Sequence, residues 1–101
     1  MKIVFVCVQG LSSAIVVSGL KKQAKKQNVH MDVLAVGIRE FEEEIDNGWN
    51  LVVIAPQMMH KYDYLNNLSK ERNIPCILVD RDTYDPKTTE KLLSTIYQSI
   101  V

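Results

Sequence analysis

The chain has 101 residues, 47% of them hydrophobic and 24% charged, and its twelve basic and twelve acidic side chains cancel to a net charge of zero with His neutral. That is one ordinary domain with enough apolar material for a core. It is too apolar and too balanced for a disordered chain, and it lacks the basic excess of a nucleic-acid binder.

Lys2 to Val6 is a β-branched and aromatic run without polar alternation, which predicts a strand covered on both faces, as in a parallel sheet. Cys7 to Ser13 follows as a loop, and Ala14 to Gln27 reads as a helix with Ser12 or Ser13 as its N-cap and Asn28 as its stop. The cations Lys21, Lys22, Lys25 and Lys26 suit its last turns. Met31 to Val36 is a second strand, Arg39 to Asp46 a short acidic helix or turn closed by Asn47-Gly48, and Leu51 to Ala55 a third strand ended by Pro56. Trp49 reads as a packing residue at the start of that strand. Met58 to Arg72 reads as a helix stopped by Asn73, Cys76 to Val79 as a fourth strand, Asp80 to Pro86 as a polar loop and Lys87 to Ile100 as the last helix. No apolar run reaches the roughly 18 residues needed to cross a bilayer, and the start is too short for a signal segment. The expectation is a soluble, cytoplasmic chain.

Strictly alternating strands and helices predict an α/β fold. Residues 1–101 should form a single three-layer domain: a four-stranded parallel sheet of order 2-1-3-4 with helices on both faces. In such sheets ligands sit at the carboxyl ends of the strands, where the strand order reverses. Strand 1 borders that reversal, which directs attention to Cys7 through Ser13.

There a cysteine is the first residue past a buried strand, Gly10 permits tight curvature, and two serines open a helix. Consecutive backbone N–H groups in such a loop can form an anion nest, and the helix N-terminus adds roughly half a positive charge. The same field favours the thiolate, the nucleophilic form of cysteine. The bland alternative is a small buried hydrophobe, which is the reading for Cys76 inside the fourth strand. The loop is neither a Walker loop nor a dinucleotide fingerprint. The small cysteine phosphatases also carry a Cys loop after their first strand, with an arginine that clamps the phosphate; Ser13 occupies that position here. A nucleophile and a nest without a clamp suit a site that holds a phosphoryl group and passes it on.

The pattern Cys7-x-x-Gly10-x-Ser12-Ser13 after a first strand resembles the B component (IIB) of the bacterial sugar phosphotransferase system, of the lactose/cellobiose (chitobiose) type. Ala55-Pro56-Gln57-Met58 after strand 3 is similar to the Gly-Pro-Gln stretch of cellobiose-type members. The resemblance covers essentially the whole chain. It implies that Cys7 accepts a phosphoryl group from a phosphohistidine on a IIA component. Cys7 then donates it to a sugar, a β-linked disaccharide such as cellobiose, chitobiose or lactose, bound by the membrane IIC component. It further implies a phosphate cradle of Val8, Gln9, Gly10, Leu11, Ser12 and Ser13, acting mainly through backbone N–H. Pro56, Gln57 and Met58 would flank the site or dock partners, and no metal or organic cofactor would be required. Gln9 departs from the family in being polar where small residues are common.

Outside this loop, Asp85-Pro86 has two readings: a general acid, as in the cysteine phosphatases, or the cap of the last helix. The missing arginine favours the cap. Arg81 could approach the phosphate from outside the loop. His60 reads as a surface residue rather than a proton carrier, and His30 as exposed. Met58, Met59, Tyr62 and Tyr64 divide between core and an adaptable docking surface. Two competing functions remain. One is a low-molecular-weight cysteine phosphatase or arsenate-reductase-like enzyme. The other is a receiver-like signalling module, weakened because strand 1 ends in Val6-Cys7 rather than in carboxylates.

Overall fold

The computed structural model describes residues 1–8 and 14–100. Four strands form one sheet: β1 Lys2–Val6, β2 Asp32–Val36, β3 Leu51–Ile54 and β4 Cys76–Leu78. Their order is β2-β1-β3-β4 and every neighbouring pair is parallel, with Val4 opposite Leu34 and Val52, and Val53 opposite Ile77. Around them stand α1 Ala14–Lys26, α2 Ile38–Glu44, α3 Tyr62–Glu71 and α4 Thr89–Ile100. The expected architecture and strand order are those observed.

The apolar run of β1 follows from its place between two layers. Successive side chains point to opposite faces. Ile3, Phe5 and Cys7 pack with Val16, Val17 and Leu20 of α1 and with Leu92, Leu93 and Ile96 of α4. Val4 and Val6 pack the other way, with Phe41 of α2, Leu65 of α3 and the Trp49 ring. β3 divides in the same manner: Leu51 and Val53 face α1 and α4, Val52 and Ile54 face α2 and α3. A strand buried on both faces has no use for polar alternation.

Helix ends follow from local chemistry. Asn28 and Asn73 have φ of 57° and 58°, the left-handed conformation that Asn tolerates better than most residues. Val29 N–H donates to the Ala24 carbonyl and Ile74 N–H to that of Ser69, so α1 and α3 both end in Schellman turns. Gly48, at φ 81°, needs its missing Cβ for the backbone angle, since a Cβ there would meet nothing within 4 Å. Trp49 is a packing residue as expected: its ring is buried, its Nε1 donates to the Glu44 carbonyl at 2.8 Å, and the Lys2 ammonium lies 4.7 Å from the ring centre.

Two helix starts differ from expectation. The helix expected from Met58 begins instead at Pro56, as a 3₁₀ segment Pro56–Lys61 that passes into α3 at Tyr62. Proline lacks the N–H that a first turn leaves unpaired anyway, and the Met58 N–H closes the turn on the Ala55 carbonyl at 2.9 Å. The last helix is likewise preceded by a 3₁₀ turn, Pro86–Thr88. No helix among the described residues is long and apolar enough to cross a membrane.

Candidate functional site

β1, β3 and β4 each continue their ladder for one residue past their end. Cys7 N–H donates to the Val36 carbonyl at 2.9 Å, Ala55 N–H to Val6 at 2.9 Å, and Val79 N–H to Ile54 at 3.1 Å. Cys7, Ala55 and Val79 therefore form a row across the carboxyl edge of the sheet, with the reversal of strand order between β1 and β3. All three belong to the core shared with α1 and α4. The Cys7 side chain is fully buried, and Val8 beyond it is half exposed. The expectations on Gln9, Gly10, Leu11, Ser12 and Ser13 lie outside the described residues. α1 starts immediately after them.

Pro56 and Gln57 follow Ala55 at this edge, the first half-buried and the second exposed. Pro56, Met59, Leu78, Val79, Asp80 and Arg81 line a cleft of about 310 Å³ beside the Cys7 row. Met58, expected to flank the site or dock partners and one of a group expected to divide between core and surface, is 5% exposed and packs with Val6 and Ile54 in the α2–α3 core. The tight turn begun at Pro56 directs Met58 inward and leaves Met59 outside, 65% exposed. Among the described residues, Val8, Ile15, Met59 and Leu78 are exposed large apolar side chains near this edge.

The polar run Asp80 to Pro86 hides one residue that the sequence reading passed over. Tyr84 is buried beside Cys7 in the α1–α4 core, its ring 6.2 Å from that of Phe5 and inclined at 35°. The backbone holds it firmly: its N–H donates to the Asp80 carbonyl at 2.9 Å, and the Asp80 carboxylate accepts from Thr83 N–H at 2.8 Å. That bond from Thr83 is the main reason why the Asp80 carboxyl lies below the ordinary range. The signal was a lone aromatic inside an otherwise polar stretch, which the pull of Asp85-Pro86 obscured.

Comparison with known proteins now decides the family. The family model for the "PTS system, Lactose/Cellobiose specific IIB subunit" matches residues 2–95. The chain belongs to this IIB family. Among solved structures, this IIB chain is similar to the lactose-specific IIB component domain of the Streptococcus pneumoniae phosphoenolpyruvate:carbohydrate phosphotransferase system, at TM-score 0.89 and 16% identity over 100% of this chain and 98% of that one. It is similar to the cellobiose-specific phosphotransferase IIB component of Borrelia burgdorferi at TM-score 0.80 and 26% identity, over 99% and 91%. A low molecular weight protein tyrosine phosphatase from Bacillus subtilis shares the fold at TM-score 0.64 and 15% identity, over 98% and 96%. No curated protein matches the chain.

In this IIB chain Asp85 is a cap. Its carboxylate accepts from Lys87 N–H at 2.8 Å, with Pro86 at the first helical position. Asp85→Ala should therefore cost about 0.5–2 kcal/mol in urea denaturation, with Asp85→Asn costing less. Neither should change phosphoryl transfer measured on folded protein, whereas a general acid would lose activity in both.

Cys76 provides the chemical contrast to Cys7. It is half-buried against the α2–α3 core, and burial pushes its thiol up to about 11, against a smaller lowering by the Ser69 hydroxyl. A raised thiol pKa means little thiolate at neutral pH. In a Cys7→Ala background, alkylation of Cys76 followed by mass spectrometry should be slow at pH 7. Its rate should climb about tenfold per pH unit until the pH passes about 11. His30 and His60 are both exposed. No group of three or more His, Cys, Asp and Glu among the described residues could hold a metal ion.

Proposed function

We propose that this IIB domain is a phosphoryl carrier in which Cys7 takes a phosphoryl group from a phosphohistidine on a IIA component and passes it to a sugar held by the membrane IIC component. The observation that carries the reading is the position of Cys7. It stands one residue beyond a strand buried on both faces, at the reversal of strand order, and seven residues before α1 begins at Ala14.

In the first half-reaction the Cys7 thiolate attacks phosphorus. An S–P bond forms as the P–N bond breaks, and the electron pair returns to the imidazole nitrogen. In the second, a sugar hydroxyl oxygen attacks the phosphocysteine, losing its proton to a base. The S–P bond breaks and the thiolate is regenerated. Neither half needs an oxidant or a bound cofactor. Backbone N–H groups of residues 8–13 form the phosphate cradle, with the Ser12 and Ser13 hydroxyls as further donors. Pro56 and Gln57 flank it. The sugar is a β-linked disaccharide such as cellobiose, chitobiose or lactose, and the domain works at the cytoplasmic face of the membrane. Val8, Ile15, Met59 and Leu78 supply an apolar surface of the kind that partners use in turn. Cys7 is buried in the chain alone, so the donor must uncover it as it docks.

The fold shared with a tyrosine phosphatase supplies the second reading, hydrolysis of phosphate monoesters. Ser13 in place of the clamping arginine speaks against it. The test is paired. Membranes carrying a lactose- or cellobiose-type IIC, with phosphoenolpyruvate, the general phosphotransferase proteins and IIA, should form sugar phosphate only when this chain is added. The chain alone should release no product from para-nitrophenyl phosphate. Turnover of the monoester by the wild type, lost in Cys7→Ala, would replace the carrier reading by the hydrolytic one.

A further inference from the structure

Tyr84 is 8% exposed, and its hydroxyl oxygen is buried with no hydrogen-bond partner among the described residues. Buried phenols ordinarily find one, because leaving the hydroxyl unpaired forfeits its hydration without return. Nothing in the packing of the aromatic ring needs that oxygen. Phenylalanine would fill the same place against Phe5.

The position of the ring indicates what the oxygen is for. Phe5 and Cys7 are two residues apart on β1, so their side chains leave the strand on the same face. Tyr84 packs on Phe5 in the same buried cluster as Cys7. We propose that the Tyr84 hydroxyl, unpartnered while Cys7 is free, is a hydrogen-bond donor to a phosphoryl oxygen carried on Cys7. The proposal rests on the carrier reading.

Three features fit that role. The donor is neutral, so it stabilises charge at Cys7 without the permanent cation that makes the cysteine phosphatases efficient hydrolases. It is preorganised, because the Asp80–Tyr84 and Asp80–Thr83 bonds fix the loop before any ligand arrives. Its proton is also retained: burial first, and the charge of a Cys7 thiolate second, push the phenol far above the ordinary tyrosine range. The phenol therefore donates a hydrogen bond throughout and transfers no proton. Sulfur and phosphorus exchange bonds while Oη–H stays intact.

The test uses Tyr84→Phe, which removes the oxygen and keeps the ring. Two readouts are taken on the folded protein. The first is the equilibrium division of the phosphoryl group between IIA and this chain, followed by intact mass, which should shift toward IIA by on the order of tenfold in the variant as one hydrogen bond to a phosphoryl oxygen is lost. The second is the rate of phosphoryl uptake from phosphorylated IIA, which should fall on the order of 10²-fold, the usual loss for one donor to developing charge. Thermal stability should be equal or higher in the variant, since a buried hydroxyl with no partner among the described residues is removed. Unchanged values in both readouts would overturn the assignment and leave Tyr84 as a packing residue. A wild type that takes no phosphoryl group from a demonstrably phosphorylated IIA would instead refute the carrier reading on which the assignment rests.

Discussion

Replacing Phe5 with alanine is expected to lower the free energy of unfolding by about 3–5 kcal/mol. Phe5 is fully buried in β1, a strand that pairs on both sides, opposite Ala35 in β2 and Val53 in β3. Its side chain fills the layer between the sheet and the α1–α4 pair and supports the Tyr84 ring. Truncation would remove the transfer free energy of a benzyl group and leave a cavity that a two-sided parallel sheet relaxes into poorly. Against a total stability of about 5–15 kcal/mol for a domain of this size, that is a large share. Urea denaturation should show an earlier midpoint with an unchanged slope. Phe5→Leu, which keeps more of the volume, should lose less. A loss below about 1 kcal/mol for the alanine variant would contradict the packing described for this face.

Cys7→Ser should reduce phosphoryl uptake from phosphorylated IIA by on the order of 10³-fold or more, the scale on which loss of a nucleophile is felt. A serine hydroxyl is almost entirely un-ionised at neutral pH, and the carrier has no general base assigned to activate it. The substitution also places a hydroxyl in a fully buried position, which should cost about 1–3 kcal/mol if it finds no partner. Cys7→Ala separates the two effects. It buries no polar atom, so it should be closer to the parent in stability and equally inactive. Transfer at near-parent rates in either variant would remove Cys7 from the chemistry.

The sheet order was legible because the two inner strands state their burial in their own letters. Ile3 through Val6 and Leu51 through Ile54 are apolar at every position, and only a strand covered on both sides tolerates that. The alternation of strands with amphipathic helices then left few right-handed topologies. The carboxyl-edge location of Cys7 followed from the same logic. Side-chain direction was less legible where the backbone leaves α-helical geometry. Met58 and Met59 are chemically identical, and only the 3₁₀ turn begun at Pro56 decides that the first is core and the second surface. Tyr84 was hidden for a different reason. Its burial comes from a loop folded back over β1, a long-range contact with no periodic signature in a polar segment. Asp85 was readable because an Asp-Pro pair at a helix start carries its own local physics.

The central claim, that Cys7 carries a phosphoryl group, is tested most directly by intact mass. The protein is incubated with phosphoenolpyruvate, the general phosphotransferase proteins and a lactose- or cellobiose-type IIA, with Cys7→Ser beside it. The account predicts a gain of one phosphoryl group in the parent and none in the variant. A gain in both would move the acceptor to another side chain, the exposed His60 first. A gain in neither, with a demonstrably phosphorylated IIA, would contradict the carrier function itself.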